Sequence, residues 1–221
     1  MRYILALLIT CLSIGQSFAK EKSIKIETNY GVIILKLYDN TPLHTANLVK
    51  LCKEHYFDST LFHRVIPSFV IQGGDPDSKH AGPEKQLGDG DLSYLVPAEI
   101  NAVNYHKRGA LGMARDNNPE KSSSASQFYL TQGKVFSEAG LDSVETYRLK
   151  RKIPADQRKV YTTLGGVPHL DQNYTVFGEI VKGLEVVDKI AAVPTSKGKD
   201  KDRPLQDVPI IKAKLVKRKK H

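Results

Sequence analysis

Residues 62–75 read FHRVIPSFVIQGGD. Most of the stretch is apolar and β-prone, and Pro67-Ser68 marks a turn between two short strands. Arg64 and Gln72 break the apolar run, and a strand that buries polar groups without partners loses much of its stability. Strand alternation sets Phe62, Arg64 and Ile66 on one face, then Phe69 with Ile71 and Val70 with Gln72 after the turn. A guanidinium beside aromatic rings at the border of an apolar pocket is the expected arrangement.

The surrounding sequence continues the β pattern. SIKIETNYGVIILKLYD alternates apolar and polar residues about Asn29-Tyr30-Gly31, the signature of a hairpin. Thr41-Pro42 then supplies an N-cap and a proline at the first helical position, and Leu43, Ala46, Leu48, Val49 and Cys52 form an apolar face through about Tyr56. Further strands are expected at 61–66, 69–73, 94–97, 109–114, 127–131, 175–181 and 208–216, with a second short helix at 184–191. Many strands and few helices predict a mainly β, antiparallel barrel or sandwich. Residues 137–160 depart from this rhythm: 137–159, SEAGLDSVETYRLKRKIPADQRK, are rich in charge and helix formers and interrupted by Pro154, and the segment reads as a helical insertion between two strands.

A chain of 221 residues, 40% hydrophobic, is long enough for one domain with its own core, here expected over 20–221. Residues 1–19 run from Arg2 through an apolar stretch to Ser17-Phe18-Ala19 and read as a cleaved export signal. The apolar run falls short of the ~20 residues of a membrane span. An uncleaved anchor, a core helix and a lipoprotein site at Cys11 are the alternatives, the last opposed by the large Thr10 before it. Cleavage would leave Cys52 alone, so no internal disulfide is expected, and its apolar neighbours read it as a small buried hydrophobe. The net charge of +9 is concentrated in 197–203 and in a basic tail at 217–221. Such runs are solvated faces or contacts to nucleic acid or anionic membrane; in an exported protein the solvated reading is preferred and no nucleic-acid partner is expected.

Common catalytic machinery is missing from the sequence. HExxH, paired CxxC, GxSxG, GxGxxG and GxxxxGK[ST] are all absent, so neither a metal, a cofactor, a nucleophile elbow nor a nucleotide loop is indicated. The Gly88-Asp89-Gly90 turn alone signals nothing. What the sequence does offer is an arginine, aromatics, and two strand ends, Met113-Ala114-Arg115 and Ser126-Gln127-Phe128-Tyr129, able to present main-chain groups to an extended peptide. That inventory suits binding, or a reaction in which no bond breaks.

FHRVIPSFVIQGGD closely resembles the cyclophilin signature, and GMARD, SQFYLT and VFGEIVKGLEVVDKI are similar to that family's later blocks in the same order. The resemblance runs from about Ser23 to Val216 apart from the insertion. It implies a closed eight-stranded antiparallel barrel capped by two α-helices, and peptidyl-prolyl cis-trans isomerase activity assisting the folding of exported proteins. Arg64 matches the catalytic arginine and Gln72 the glutamine that holds it. Phe69, Val70, Tyr129 and Leu170 match the proline pocket. Ala114 and Arg115 match the edge that meets substrate backbone, and Gln127 a further wall. His63 precedes the arginine, and Tyr174 stands where many members have histidine. His169 replaces the tryptophan that the resemblance associates with cyclosporin, so sensitivity to that drug is not implied. Tyr129 replaces phenylalanine, adding a hydroxyl that must find a partner or water, and Val70 replaces methionine. Proline-containing polypeptides are the expected partners of a monomer located in the periplasm, or secreted. A proline-peptide binding module with incidental activity, and a surface binder using the basic tail, are the competing readings.

Overall fold

The computed structural model describes residues 22–197 and 202–217. The expected export signal, Cys11, residues 198–201 of the first basic run and all but the first residue of the tail lie outside them. Among the described residues no helix is long and apolar enough to cross a membrane.

Among the described residues, ten strands and four α-helices follow one another as β1 (Lys22–Thr28), β2 (Gly31–Leu37), α1 (Pro42–Lys53), β3 (Arg64–Val65), β4 (Val70–Gly73), β5 (Leu95–Val96), β6 (Ala110–Met113), β7 (Ser123–Ser124), β8 (Phe128–Thr131), α2 (Glu138–Val144), α3 (Ala155–Thr163), β9 (Val176–Lys182), α4 (Leu184–Ala191) and β10 (Ile210–Lys217). Eight of the strands form one antiparallel sheet in the order β10-β1-β2-β9-β6-β8-β4-β3, and β5 pairs with β7 outside it. The sheet curls into a barrel, but no ladder joins its two end strands, which corrects the expectation of full closure. The seam is instead stitched just before them, where Leu61 bridges Pro209 and the Phe62 N–H donates to Val208 O at 2.9 Å.

The interior is filled by alternate residues of each strand: Ile24 and Ile26, Ile33, Leu35 and Leu37, then Val65, Ile71, Leu111, Met113, Phe128, Leu130 and Phe177. Phe57 and Phe62 meet Phe128 edge-on with ring centroids 5.5 and 6.1 Å apart. Helix α1 packs against β10 through a stripe that includes Leu48, Leu51 and Cys52, and α4 against β2 and β4 through Val187 and its neighbours. Burial pushes the Cys52 thiol up to about 12, so it packs as a hydrophobe.

Two expectations about local structure are overturned. Phe62 does not share a face with Arg64: β3 starts only at Arg64, so Phe62 points into the core and the alternation is not continuous between them. Likewise Ile71 is core, whereas Phe69 lines a surface pocket. Thr41 occupies the N-cap position of α1 without capping it, because its hydroxyl turns back to Tyr38 O. The cap comes from Glu99, far away in sequence, whose two carboxylate oxygens accept from the Leu43 and His44 N–H groups at 2.9 Å each.

The insertion is helical as expected, but longer. Ser137 accepts from Gly140 N to start α2, a π-helical turn spans Glu145–Leu149, and α3 runs to Thr163. It carries a small core of its own, Leu141, Ile153 and Tyr161, packed with Tyr105, Phe136 and Leu149. Glu145 gathers it electrostatically. Its carboxylate accepts from Lys152 and the Ile153 N–H and pairs with Arg158, and these partners hold its carboxyl down to about 2.

Candidate active site

Register builds the site. Across four adjacent strands, Arg64 of β3 lies opposite Gln72 of β4, Gln72 opposite Tyr129 of β8, and Tyr129 opposite Gly112 of β6. The adjacent row, Val65, Ile71, Leu130 and Leu111, points into the core. Because successive residues of a strand face opposite ways, the row that anchors the interior also fixes the outer row. Arg64 and Gln72 of the opening stretch therefore face outward from the barrel, onto a pocket.

That pocket, about 150 Å³, is lined by Arg64, Phe69, Val70, Gln72, Ala114, Arg115, Tyr129, Leu170 and Tyr174. Nine of the twelve residues singled out from the sequence thus converge on one cavity. Of the other three, Gln127 lines an adjoining cleft of about 300 Å³ together with Asp89, Asp91 and Asp116. His169 stacks beneath Phe69, ring centroids 5.6 Å apart and planes within 8°. Its burial, reinforced by nearby Arg148, lowers its pKa, so the stack is between two neutral rings at pH 7. His63 does not border the pocket; it is buried in the barrel wall.

A relay of hydrogen bonds orients the arginine. Arg64 Nη1 donates to Gln72 Oε1 at 3.3 Å, and Gln72 Nε2 donates to Gln127 Oε1 at 2.9 Å. Gln127 Nε2 in turn donates to Gly88 O and Gly90 O. The loop bearing those carbonyls is tied to Asp75, which accepts from Gly88 N and Asp77 N. A Cβ at Gly90 would stand 2.1 Å from Asp75 Oδ1, so only glycine lets the loop close on the carboxylate. The last residue of the opening stretch thus secures, through the Gly88-Asp89-Gly90 turn, the arginine near its start.

Ala114 offers less than expected. Its N–H donates to Gln127 O and its carbonyl accepts from Ser124 N, both at 2.8 Å, so its main-chain donor is already used inside the protein. Arg115 follows beyond the end of β6; its side chain donates to Asn173 O at 2.8 Å and lies 5.0 Å over the Tyr174 ring, fixing the far wall.

The Tyr129 hydroxyl has a partner. It lies 2.8 Å from His106 Nε2, while His106 Nδ1 lies 2.8 Å from Asp171 Oδ1, which also accepts from the His106 N–H. Burial raises the Tyr129 pKa well above its ordinary value, so the hydroxyl keeps its proton. Space for the ring comes from Gly112, where a Cβ would sit 2.3 Å from Tyr129 Cζ. His106, Asp171, Gly112 and the 88–90 loop are the site residues that sequence reading missed. The extra hydroxyl of Tyr129 did demand a partner, but nothing local pointed to His106. Among the described residues no group of three or more His, Cys, Asp or Glu side chains is arranged to hold a metal ion.

Comparison with known proteins agrees with this geometry. The model for cyclophilin type peptidyl-prolyl cis-trans isomerases matches residues 23–215. A peptidyl-prolyl cis-trans isomerase of Acinetobacter baylyi is 32% identical over 194 residues, 87% of this chain and 84% of that one. A Streptococcus pyogenes serotype M6 protein, named for phosphatase and peptidyl-prolyl cis-trans isomerase functions, is 36% identical over 189 residues; the match takes in 84% of this chain but only 37% of that longer one. The crystal structure of a Cryptosporidium parvum cyclophilin type isomerase superposes with a TM-score of 0.64 at 23% identity, covering 90% of this chain and 99% of that one. The chain belongs to the cyclophilin-type peptidyl-prolyl cis-trans isomerase family.

Proposed function

We propose that this isomerase accelerates rotation about X-Pro bonds in exported polypeptides, with Arg64 as the catalytic donor. The observation that carries this reading is the outer row Arg64-Gln72-Tyr129-Gly112, which sets a guanidinium at the rim of an apolar pocket of proline-ring character.

The chemistry follows from the amide. Delocalisation of the prolyl nitrogen lone pair into the carbonyl sets a rotation barrier of roughly 18–20 kcal/mol. At the twisted geometry that lone pair is localised on nitrogen and can accept a hydrogen bond, which neither planar form offers. A guanidinium N–H aimed there binds the twisted state more tightly than either ground state, and only such differential binding speeds the step. Phe69, Val70, Tyr129 and Leu170 hold the ring by apolar contact, so the carbonyl side turns while the proline stays fixed. Gln72, held by Gln127, keeps the guanidinium from swinging into solvent. No proton moves and no covalent bond breaks, so neither a base nor a cofactor is required.

Export rests on the sequence of residues 1–19. In the periplasm or outside the cell, uncatalysed exchange on the order of tens to hundreds of seconds limits folding of proline-bearing chains. Proline-containing polypeptides are accordingly the proposed partners, the protein acts as a monomer without nucleic acid, and His169 in the tryptophan position makes cyclosporin a poor ligand. The test is twofold: a tagged full-length chain is followed by cell fractionation, and the mature chain is added to an exported protein whose refolding is limited by a proline. Recovery outside the cytoplasm with the leader removed, together with a faster slow phase, is the expected result. Retention in the cytoplasm with the leader intact overturns export, and an unchanged slow phase overturns the folding role.

A further inference from the structure

The helical insertion contacts the wall of the proline pocket through a chain of four buried side chains. Tyr161 of α3 donates its hydroxyl proton to Asp171 Oδ2 at 2.7 Å. Asp171 Oδ1 accepts from the His106 N–H at 2.9 Å and lies 2.8 Å from His106 Nδ1. His106 Nε2 lies 2.8 Å from the Tyr129 hydroxyl. None of the four is more than 3% exposed.

Donor and acceptor roles follow from one end. A carboxylate has no proton to give, so Asp171 requires the ring proton of His106 on Nδ1. In a ring that carries its single proton on Nδ1, Nε2 is an acceptor and the Tyr129 O–H donates to it. The hydroxyl is turned inward, and the pocket is met by the tyrosine ring alone. Were His106 in the other tautomer, Nε2 would donate to the tyrosine oxygen and the phenolic proton would have to seek another acceptor.

The same residue, through its backbone, borders a second wall. Asp171 directly follows the 3-10 turn Pro168–Leu170, whose Leu170 lines the pocket and whose His169 stacks on Phe69. The Asp171 N–H closes that turn onto Pro168 O. Tyr161 therefore sits behind both Tyr129 and Leu170 while touching neither the pocket nor its contents. Its own place is set by the insertion: it lies in the small core with Leu141 and Ile153, and its carbonyl accepts from Phe136 N at 3.0 Å.

We propose that Tyr161 is a positioning residue for the isomerisation, through which the insertion holds Asp171, His106 and Tyr129 in the arrangement that keeps the proline pocket apolar and correctly shaped. The inference rests on the proline-pocket reading above. It assigns the insertion a role in substrate affinity and predicts that the coupling runs through the Tyr129 hydroxyl.

The experiment is a double-mutant cycle in kcat and KM on an Ala-Pro test peptide, with wild type, Tyr161→Phe, Tyr129→Phe and the double variant of the full mature chain. Tyr161→Phe is expected to raise KM about three- to tenfold with kcat changed less than about twofold, and in the Tyr129→Phe background the same change is expected to lose most of its effect. A merely structural role predicts equal losses in the two backgrounds, and that result overturns the proposal. No change in KM for Tyr161→Phe overturns it as well, while wild-type activity leaves the pocket reading standing. An inactive wild type removes both. If Tyr161→Phe does not fold, long-range 15N–1H spectra of wild-type His106 decide: a neutral ring protonated on Nδ1 is expected, and an Nε2-protonated ring refutes the mechanism.

Discussion

Replacing Arg64 with alanine removes one preorganised donor from the rim of the pocket and leaves the apolar walls as they were. The guanidinium is half-buried and joined to Gln72 Oε1 at 3.3 Å, a long contact that orients it without consuming its donors. A charged donor facing a lone pair that exists only in the twisted state is comparable to one donor of an oxyanion hole, whose loss costs about 2.7–4 kcal/mol, or roughly 10²–10³ in rate. The expected result is a fall of that size in kcat and an equal fall in kcat/KM. KM should stay within about threefold, because Val70, Tyr129 and Leu170 still bind the ring. The assay is cis-trans exchange of an Ala-Pro peptide, by protease coupling at low temperature or by NMR exchange at equilibrium, with thermal unfolding as the control for fold. A loss below about tenfold with an unchanged melting curve, or a loss carried wholly by KM, would refute the assignment of Arg64 as the catalytic donor.

Three further outcomes are expected. Gly112→Ala places a Cβ 2.3 Å from Tyr129 Cζ and 2.5 Å from its hydroxyl, so the ring must move; urea unfolding should show about 1–3 kcal/mol of destabilisation together with a raised KM, and an unchanged KM would count against tight packing at that crossing. Glu99→Ala strips α1 of its carboxylate cap and should cost about 1 kcal/mol in the same unfolding experiment, whereas no loss would mean that water caps the helix equally well. Glu145 has a folded-state pKa of about 2 against an ordinary 4.5, so the folded insertion binds protons less readily than the unfolded one. Its stabilising contribution is therefore complete above about pH 4.5 and is lost as the pH falls towards 2. Hydrogen exchange in α2 and α3 should accelerate across that window in the wild type and not in Glu145→Gln; identical profiles would assign the acid sensitivity elsewhere.

What could be read from the sequence was what is local. The hairpin about Asn29-Tyr30-Gly31, helix α1 and helix α4 announce themselves by period and punctuation, and each is present. The site residues of the motif blocks were legible by their order, and register gathers most of them around one cavity. Contacts that depend on distant partners were not legible. Glu99 and α1 meet only once the barrel has formed, and the short strand β7 exists only because Leu95 and Val96 lie alongside it. Phe62 was placed beside Arg64 by simple alternation, which assumes a continuous strand; the chain bends before β3 begins. His106 and Asp171 gave no local sign of serving Tyr129, since histidine and aspartate at a separation of 65 residues form no recognisable spacing.

The outer row of the barrel is also a check on assembly. Sliding β4 by one residue against β8 would exchange Gln72 for Ile71 on the outside and turn a polar amide into the core, and the same slip in β3 would bury a guanidinium among leucines. Both errors are penalised far more heavily than an ordinary mispairing between two apolar rows. Arg64 and Gln72, which line the pocket, therefore also discriminate against misfolded registers of the barrel. For an isomerase of this build, activity and correct threading become one measurement: a preparation's specific activity reports the fraction of chains whose strands are in register.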